Sequence, residues 1–323
     1  MATSTPVGTQ DKILATTMQK WAPKVGLQVY NSTPVLKKVI DNGNKKKWEG
    51  EAQRQTIVNA TYKAPVRYNN YGTANTTPQE PLTVADFEMA GYMQAVTLSE
   101  MQLRKNSSSE TKMIDLLATE MQLAMQSMRD AMETDLLATA NVTSGLLSLD
   151  TITDASTTIG GVGGSSTWGG TTTASGAFTS QGLNDMLTLW QTLSQYADLS
   201  GKGGSGITSG DQPDLLITTQ AVERSYFNEL QPQMRFTGDE KLDTGSALAW
   251  FKVPVLSSTY PTSGRLYMIN SRHLTLWVHP QADFTMKPAV HPTNQDAWTR
   301  LIVWNGALGT SERRKHGKLT GLT

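Results

Sequence analysis

The chain has 323 residues, 38% hydrophobic and 17% charged, with 28 basic groups against 28 acidic ones and no cysteine. That length supports a large core and two subdomains, and the low hydrophobic and charged fractions favour a β-rich, loop-rich chain over a helical bundle. Disulfides and thiolate chemistry are excluded, and no apolar run approaches the roughly 18 residues of a membrane span.

The N-terminal MATSTPVGTQDKILATT has no basic start followed by an apolar core, so no secretory signal is expected. Together with the missing cysteines this points to an intracellular origin. Charge is unevenly placed. Residues 1–50 carry eight Lys against Asp11, Asp41 and Glu49 (+5), and residues 300–323 carry five basic groups against Glu312 (+4), which leaves −9 for the middle. The basic ends are either tails that meet acidic surfaces on sister copies or plain solvated tails.

Asp11 can cap a short helix with Leu14, Met18 and Trp21 on one face, ended by Pro23. Residues 22–44 then read as an irregular arm with Pro34 and DNGN as breakers. From Lys45 to Pro81 the chain is rich in Thr, Tyr, Val, Asn and Pro and reads as one limb of a long hairpin. Gly72 and TANTTPQE form its tip, and LTVADFEMAGYMQAVTL returns from it. In the return, Tyr92, Gln94, Val96 and Leu98 alternate with Met93, Ala95 and Thr97. Neither face is strongly apolar, and a ribbon of this kind is marginal unless it packs on a neighbour.

Ser107 and Glu110 match a capping box. Behind them Met113, Leu117, Met121, Ala124, Met128 and Met132 fall at helical spacing, which predicts a long helix to about Thr139 with its methionines filling core. Residues 141–179, with TIGGVGGSSTWGGTTTASG, read as a Gly/Ser/Thr-rich loop. A second helix opens at Ser180, with Leu183, Met186, Leu187, Trp190, Leu193 and Ala197 on one face, and Gly201 stops it. DQPDLLITT is a buried-strand pattern leading into a helix with Val222, Tyr226 and Leu230, ended before Pro232. KVPVLSS, RLYMIN, LTLWV and TRLIVWNGAL read as further strands. The fold class is α+β.

Motifs for chemistry fail on context. Gly201, Gly203 and Gly206 satisfy G-x-G-x-x-G, but a helix precedes and a strand follows, the reverse of a dinucleotide site. Gly317 and Lys318 have no Walker spacing, and no G-x-S-x-G elbow occurs. His273, His279, His291 and His316 form no metal-binding spacing. No catalytic, cofactor or metal site is therefore expected. Lys45, Lys46 and Lys47 beside Trp48 could meet phosphates and a base, so an enzyme or nucleic-acid-binding module with a Gly-rich loop remains the competing reading.

Order and spacing of these pieces resemble the major capsid proteins of tailed bacteriophages, of the Hong Kong 97 fold. The similarity runs through ADFEMAGYMQAVTLSEM, NSSSETKMIDLLATEM, TIGGV, PDLLITTQAVERSYFNELQPQMRF, YMIN, LTLWVHP and TNQDAWTRLIVWNGALGTSERRKHGKLTGL, from about Lys45 to the C-terminus. It implies an N-terminal arm (1–44), an extended loop with its return strand (45–98), a peripheral domain with a spine helix (99–144), an axial domain (145–262), and late peripheral strands with a C-terminal tail (263–323). It implies a virion protein assembled in the host cytoplasm, whose partners are other copies of itself, a portal protein at one vertex, decoration proteins and packaged double-stranded DNA, with no membrane. Because only 44 residues precede Lys45, a separate scaffolding protein is expected rather than a fused one. The expected intersubunit residues are Lys45, Lys46, Lys47, Trp48, Arg67, Tyr68, Tyr71 and Glu80.

Overall fold

The computed structural model describes residues 35–37, 44–60, 65–74, 76–105, 116–165, 167–195, 211–234, 249–251 and 253–323. Two sheets and one projecting hairpin organise it. The strands are β1 (Lys45–Lys47), β2 (Ala52–Val58), β3 (Leu82–Glu88), β4 (Ala90–Ser99), β5 (Thr171–Ala174), β6 (Leu215–Thr219), β7 (Ala249–Trp250), β8 (Val253–Ser258), β9 (Leu266–Ile269), β10 (Leu274–Val278), β11 (Thr285–Met286), β12 (Ala297–Thr310) and β13 (Gly317–Thr320). The helices are α1 (Glu100–Lys105), α2 (Leu116–Leu136), α3 (Leu149–Thr153), α4 (Leu183–Gln195) and α5 (Gln220–Met234).

The first sheet is built around β12. One edge of β12 pairs along its first ten residues with β4, from Ala297↔Ser99 to Gly306↔Ala90, while β10 and β11 pair with its other edge and β1 adds in parallel to β10. Helix α2 packs on β4, burying Ala124, Met128, Met132 and Leu136 at i+4 spacing. Met128 and Met132 fill core, as their spacing predicts, Met121 is half-buried, and Met113 lies outside the described residues. The helix ends at Leu136 rather than about Thr139, and its capping-box segment lies outside the described residues.

In the second sheet the order is β5-β13-β9-β6-β8-β7. It is covered on both faces, so its central strands read as continuous apolar runs. Leu215, Ile217, Tyr267 and Ile269 point into the first core, while Leu216, Leu266, Met268 and Leu319 face α4 and α5 in the second. Helix α5 carries Val222 and Tyr226 inward and continues two residues past Pro232. The Gly201–Gly206 motif and the Asp11-capped helix lie outside the described residues.

Three sequence expectations are corrected. The first concerns the arm before Lys45. Residues 35–37 form a helical turn with Val35 and Leu36 buried, and their N–H groups donate to the Glu133 carboxylate at 3.2 and 2.9 Å. Burial of Glu133 pushes its carboxyl up, and these two donors partly offset the effect. The turn is anchored on the chain's own α2.

The second concerns the Gly/Ser/Thr-rich segment after Asn141, which is packed structure. It holds α3, β5, a bridge between Ile159 and Val162, and the buried Trp168. Gly160, Gly164, Gly169 and Gly170 serve close backbone approach. A Cβ on Gly170 would lie 2.5 Å from the Thr153 carbonyl carbon and oxygen. Gly170→Ala should therefore cost about 1–3 kcal/mol of stability through overpacking. A denaturant midpoint equal to that of the parent would contradict this.

The third concerns the basic C-terminus, which is no tail. Arg313, Lys315, His316 and Lys318 are all buried. Lys318 Nζ bonds Asp150 and Asp154 at 3.0 and 3.1 Å, and Asp150 also pairs with Arg265 and accepts from the Tyr267 hydroxyl. Lys315 and His273 meet Asp211 at 3.0 and 3.1 Å. A charge run reads as solvated when its partners are far away in sequence, and Asp150 stands 168 residues from Lys318.

Acid sensitivity follows from these groups. Burial pushes the fully enclosed His316 down to about 3, reinforced by nearby His273 and Arg313. Its Nδ1 accepts from the Asn270 N–H at 3.3 Å, and its Nε2 lies 3.0 Å from the Thr310 hydroxyl. The folded chain thus refuses a proton that the unfolded chain takes below about pH 6.5, and stability falls as pH drops from there. Burial opposes ionisation of Asp154 and Asp211 but is outweighed by their hydrogen bonds, so both sit below the usual carboxylate range. Their contribution is lost only below about pH 4. Between these limits His316→Gln should flatten the stability–pH curve by up to about 1.4 kcal/mol per unit. Denaturation midpoints that shift in parallel for both proteins would overturn the assignment.

Candidate assembly surface

Strands β2 and β3 form a two-stranded ribbon from Ala52↔Glu88 at its root to Val58↔Leu82. Beyond it the Asn59 N–H donates to the Pro81 carbonyl at 2.9 Å, and the described residues 65–74 and 76–81 form no helix or strand. The paired ribbon packs on the chain itself along its length, through Ile57, Ala85 and Phe87, and the Ser165 hydroxyl donates to the Asn59 side-chain oxygen at 3.1 Å. The tip is bare. Tyr68 is 81% and Tyr71 98% exposed, with Val66 and Arg67 beside them. Two tyrosines held in water are costly for a monomer and suit a surface that another molecule covers.

Return strand and helix join without a loop, since Ser99 ends β4 and Glu100 starts α1. The ribbon's second limb therefore continues as the strand that pairs with β12 and packs on α2. A load on the tip would pass straight into the core of the first sheet.

Of the expected interface residues, Arg67, Tyr68 and Tyr71 come together at the tip, and Glu80 is exposed on the returning limb. Lys45, Lys46 and Lys47 lie instead on the edge strand β1, with Lys46 and Lys47 exposed. Lys45 is joined to Asp283 at 2.5 Å, a surface pair worth about 0–1 kcal/mol. Trp48 packs partly buried on the first core, and its backbone N–H donates to the Val278 carbonyl at 3.1 Å. The structure thus separates the eight residues into a tip set, the limb residue Glu80 and a β1 set.

A groove at the ribbon's root escaped sequence reasoning. It has a volume of about 650 Å³, with residues 86–90 of the ribbon on one side, 141–147 and 158–161 as walls, and Ala307 and Leu308 behind. The only trace in the sequence is the pair Gly160–Gly161, both at positive φ (59° and 78°). The Asp86 N–H donates to the Gly160 carbonyl at 3.0 Å, so this wall is pinned to the ribbon. Among the described residues no group of His, Cys, Asp or Glu could hold a metal ion, and no helix is long and apolar enough to cross a membrane.

No protein-family model matches the chain, and no curated protein does. Solved structures match along its whole length. A gene transfer agent ("GTA") capsid chain is 11% identical with a TM-score of 0.68, covering 100% of both chains. The capsid chain of cyanophage A-1(L) is 13% identical with a TM-score of 0.72, covering 98% of this chain and 99% of that one. This is the Hong Kong 97-type capsid fold. The SrpI encapsulin of Synechococcus elongatus shares it at 11% identity and a TM-score of 0.60, over 98% of this chain and 96% of that one.

Proposed function

We propose that this chain is the major capsid protein of a tailed phage. Copies form rings of five and six that close into an icosahedral shell around double-stranded DNA, and the protein resides in the virion after assembly in the host cytoplasm. The observation that carries the reading is end-to-end likeness to capsid chains, in a subunit whose ribbon tip its own chain leaves uncovered. Each copy makes several contacts at once, so individually weak ones suffice.

In this reading the second sheet with α4 and α5 forms the axial domain, spanning residues 145–262 with β9 and β13 crossing back into it from the late segment. The first sheet with α2 forms the peripheral domain. The role is structural rather than enzymatic. Curvature must be directed, because one subunit builds two ring sizes, and a separate scaffolding protein supplies that direction. Portal and decoration proteins complete the partners, and DNA is held without sequence-specific contact, which suits a net charge of zero.

Lys46 and Lys47 act between copies in this account. Lys46→Glu with Lys47→Glu should leave monomer stability within about 0.5 kcal/mol and lower assembly yield, most at low salt where screening is weakest. Equal yields at low salt would remove these lysines from the interface. The reading as a whole is tested by the contents of native particles built from this chain. Nuclease-protected double-stranded DNA is expected, and shells filled only with a protein cargo would place the chain with the encapsulins.

A further inference from the structure

We infer that Ser311, His273 and Asp211 form a nucleophilic relay, in which the Ser311 hydroxyl takes the acyl group of small activated esters. This is a chemical activity of the subunit itself and does not rest on the shell reading. Three observations carry it, namely the order of the hydrogen bonds, the way each member is held, and the contrast with a second imidazole beside it.

The relay stands where the chain crosses twice between the two sheets. Strand β9 passes to β10 through Asn270–His273, and β12 passes to β13 through Ser311–His316. The Ser311 backbone N–H donates to the His273 carbonyl at 3.0 Å, which sets the two side chains next to each other. Ser311 Oγ lies 3.1 Å from His273 Nδ1, and His273 Nε2 lies 3.1 Å from Asp211 Oδ2. Both distances are within the reach of a nucleophile, its base and the group that orients the base, about 2.6–3.2 Å. Asp211 is itself locked. Its Oδ1 accepts from the Asn270 side-chain N–H at 2.7 Å, and Lys315 Nζ sits 3.0 Å from Oδ2. Burial opposes its ionisation, but these donors outweigh burial and hold the carboxyl below the usual range. An ionised carboxylate only accepts, so the ring keeps its proton on Nε2 and turns the Nδ1 lone pair to the hydroxyl.

His316 shows the opposite arrangement. Its Nδ1 accepts from the Asn270 backbone N–H, so Nε2 carries the proton and donates it to the Thr310 hydroxyl at 3.0 Å. That hydroxyl receives a proton where Ser311 gives one up, and both residues are fully enclosed. Ser311 is half-buried and the His273 side chain is 14% exposed, which admits a small acyl group. Arg272 is largely exposed, with its guanidinium 4.0 Å from Asp211. It brings to this rim the positive charge that favours a developing oxyanion. In the reaction, Ser311 Oγ bonds to the ester carbonyl carbon while its proton passes to His273 Nδ1. The bond from that carbon to the alkoxy oxygen then breaks, and the departing oxygen takes the proton from Nδ1. The products are acyl-Ser311 and a free alcohol. A phosphonyl fluoride follows the same course, forming the Oγ–P bond and releasing fluoride with the proton.

A tagged alkyl fluorophosphonate added to the native chain tests the relay, with peptide mass spectrometry to place the adduct. It should mark Ser311 at least about a hundredfold faster than in the urea-unfolded chain, the scale of general-base assistance, and should leave Thr310 unmarked. No adduct on native Ser311, or labelling equally fast after unfolding, would overturn the inference and leave the shell reading standing. Variants separate the base from the packing around it. His273→Ala should lose the adduct and regain part of it when free imidazole is added, since imidazole replaces a base but restores no packing. Asp211→Asn should slow labelling at least about tenfold, because an amide can donate to Nε2 and move the ring proton to Nδ1. Asp211→Glu, which keeps a carboxylate, should recover most of that loss. Labelling of His273→Ala at the parent's rate, or loss in it that imidazole does not relieve, would show that the three side chains only join the two sheets.

Discussion

Arg313→Ala should lower folding stability by about 3–5 kcal/mol, the sum of a large-to-small loss and buried acceptors left without donors. The Arg313 side chain is fully enclosed, and four backbone carbonyls accept from it. Nε bonds Ile152 at 3.2 Å, Nη1 bonds Thr157 at 2.8 Å, and Nη2 bonds Thr151 and Asp154 at 3.0 and 2.7 Å. The guanidinium also lies 5.9 Å from the centre of the Trp168 ring. Burial pushes its pKa down to about 10, so it stays charged at neutral pH. These bonds gather the turn after α3 around one planar fork. Lysine has no such fork, and Arg313→Lys should recover less than half of the loss. Chemical denaturation of the three proteins settles the matter, and an Arg313→Ala midpoint close to the parent's would show that the carbonyls find other donors.

Deleting residues 66–74 should abolish closed assemblies while leaving the subunit folded. The segment buries no large side chain on its own chain, and the paired ribbon keeps its register and its Ile57 and Phe87 anchors. Monomer stability should therefore stay within about 0.5 kcal/mol. Assembly should fall at least tenfold, because each lost contact is repeated around every ring and the losses compound. Size-exclusion chromatography reads this out as a shift from particles to free subunits or small rings. Particles of parental size and yield would show that the tip is dispensable.

Much of the fold was legible because its elements bury what their period displays. The methionine stripe of α2, the apolar run of β6 and the length of β12 each follow from local sequence. The exposure of Arg67, Tyr68 and Tyr71 was legible too, since an extended Tyr-rich stretch bounded by prolines has nothing of its own to cover it. The misreadings share another physical cause. SERRKHGKLT looks solvated only because Asp150, Asp154 and Asp211 are remote in sequence, and TIGGVGGSSTWGG looks loose only because glycine's use for close approach shows when the facing backbone is known. The groove was invisible for the same reason, being assembled from four separated segments.

Negative-stain electron microscopy of the purified chain tests the central claim most directly. If the proposed scaffolding protein is supplied, the chain should form closed shells of one diameter, and without it tubes, sheets, free rings or shells of mixed size, all built from five- and six-fold rings. A monodisperse small oligomer under both conditions, with no ring or curved assembly in the fields, would contradict the account.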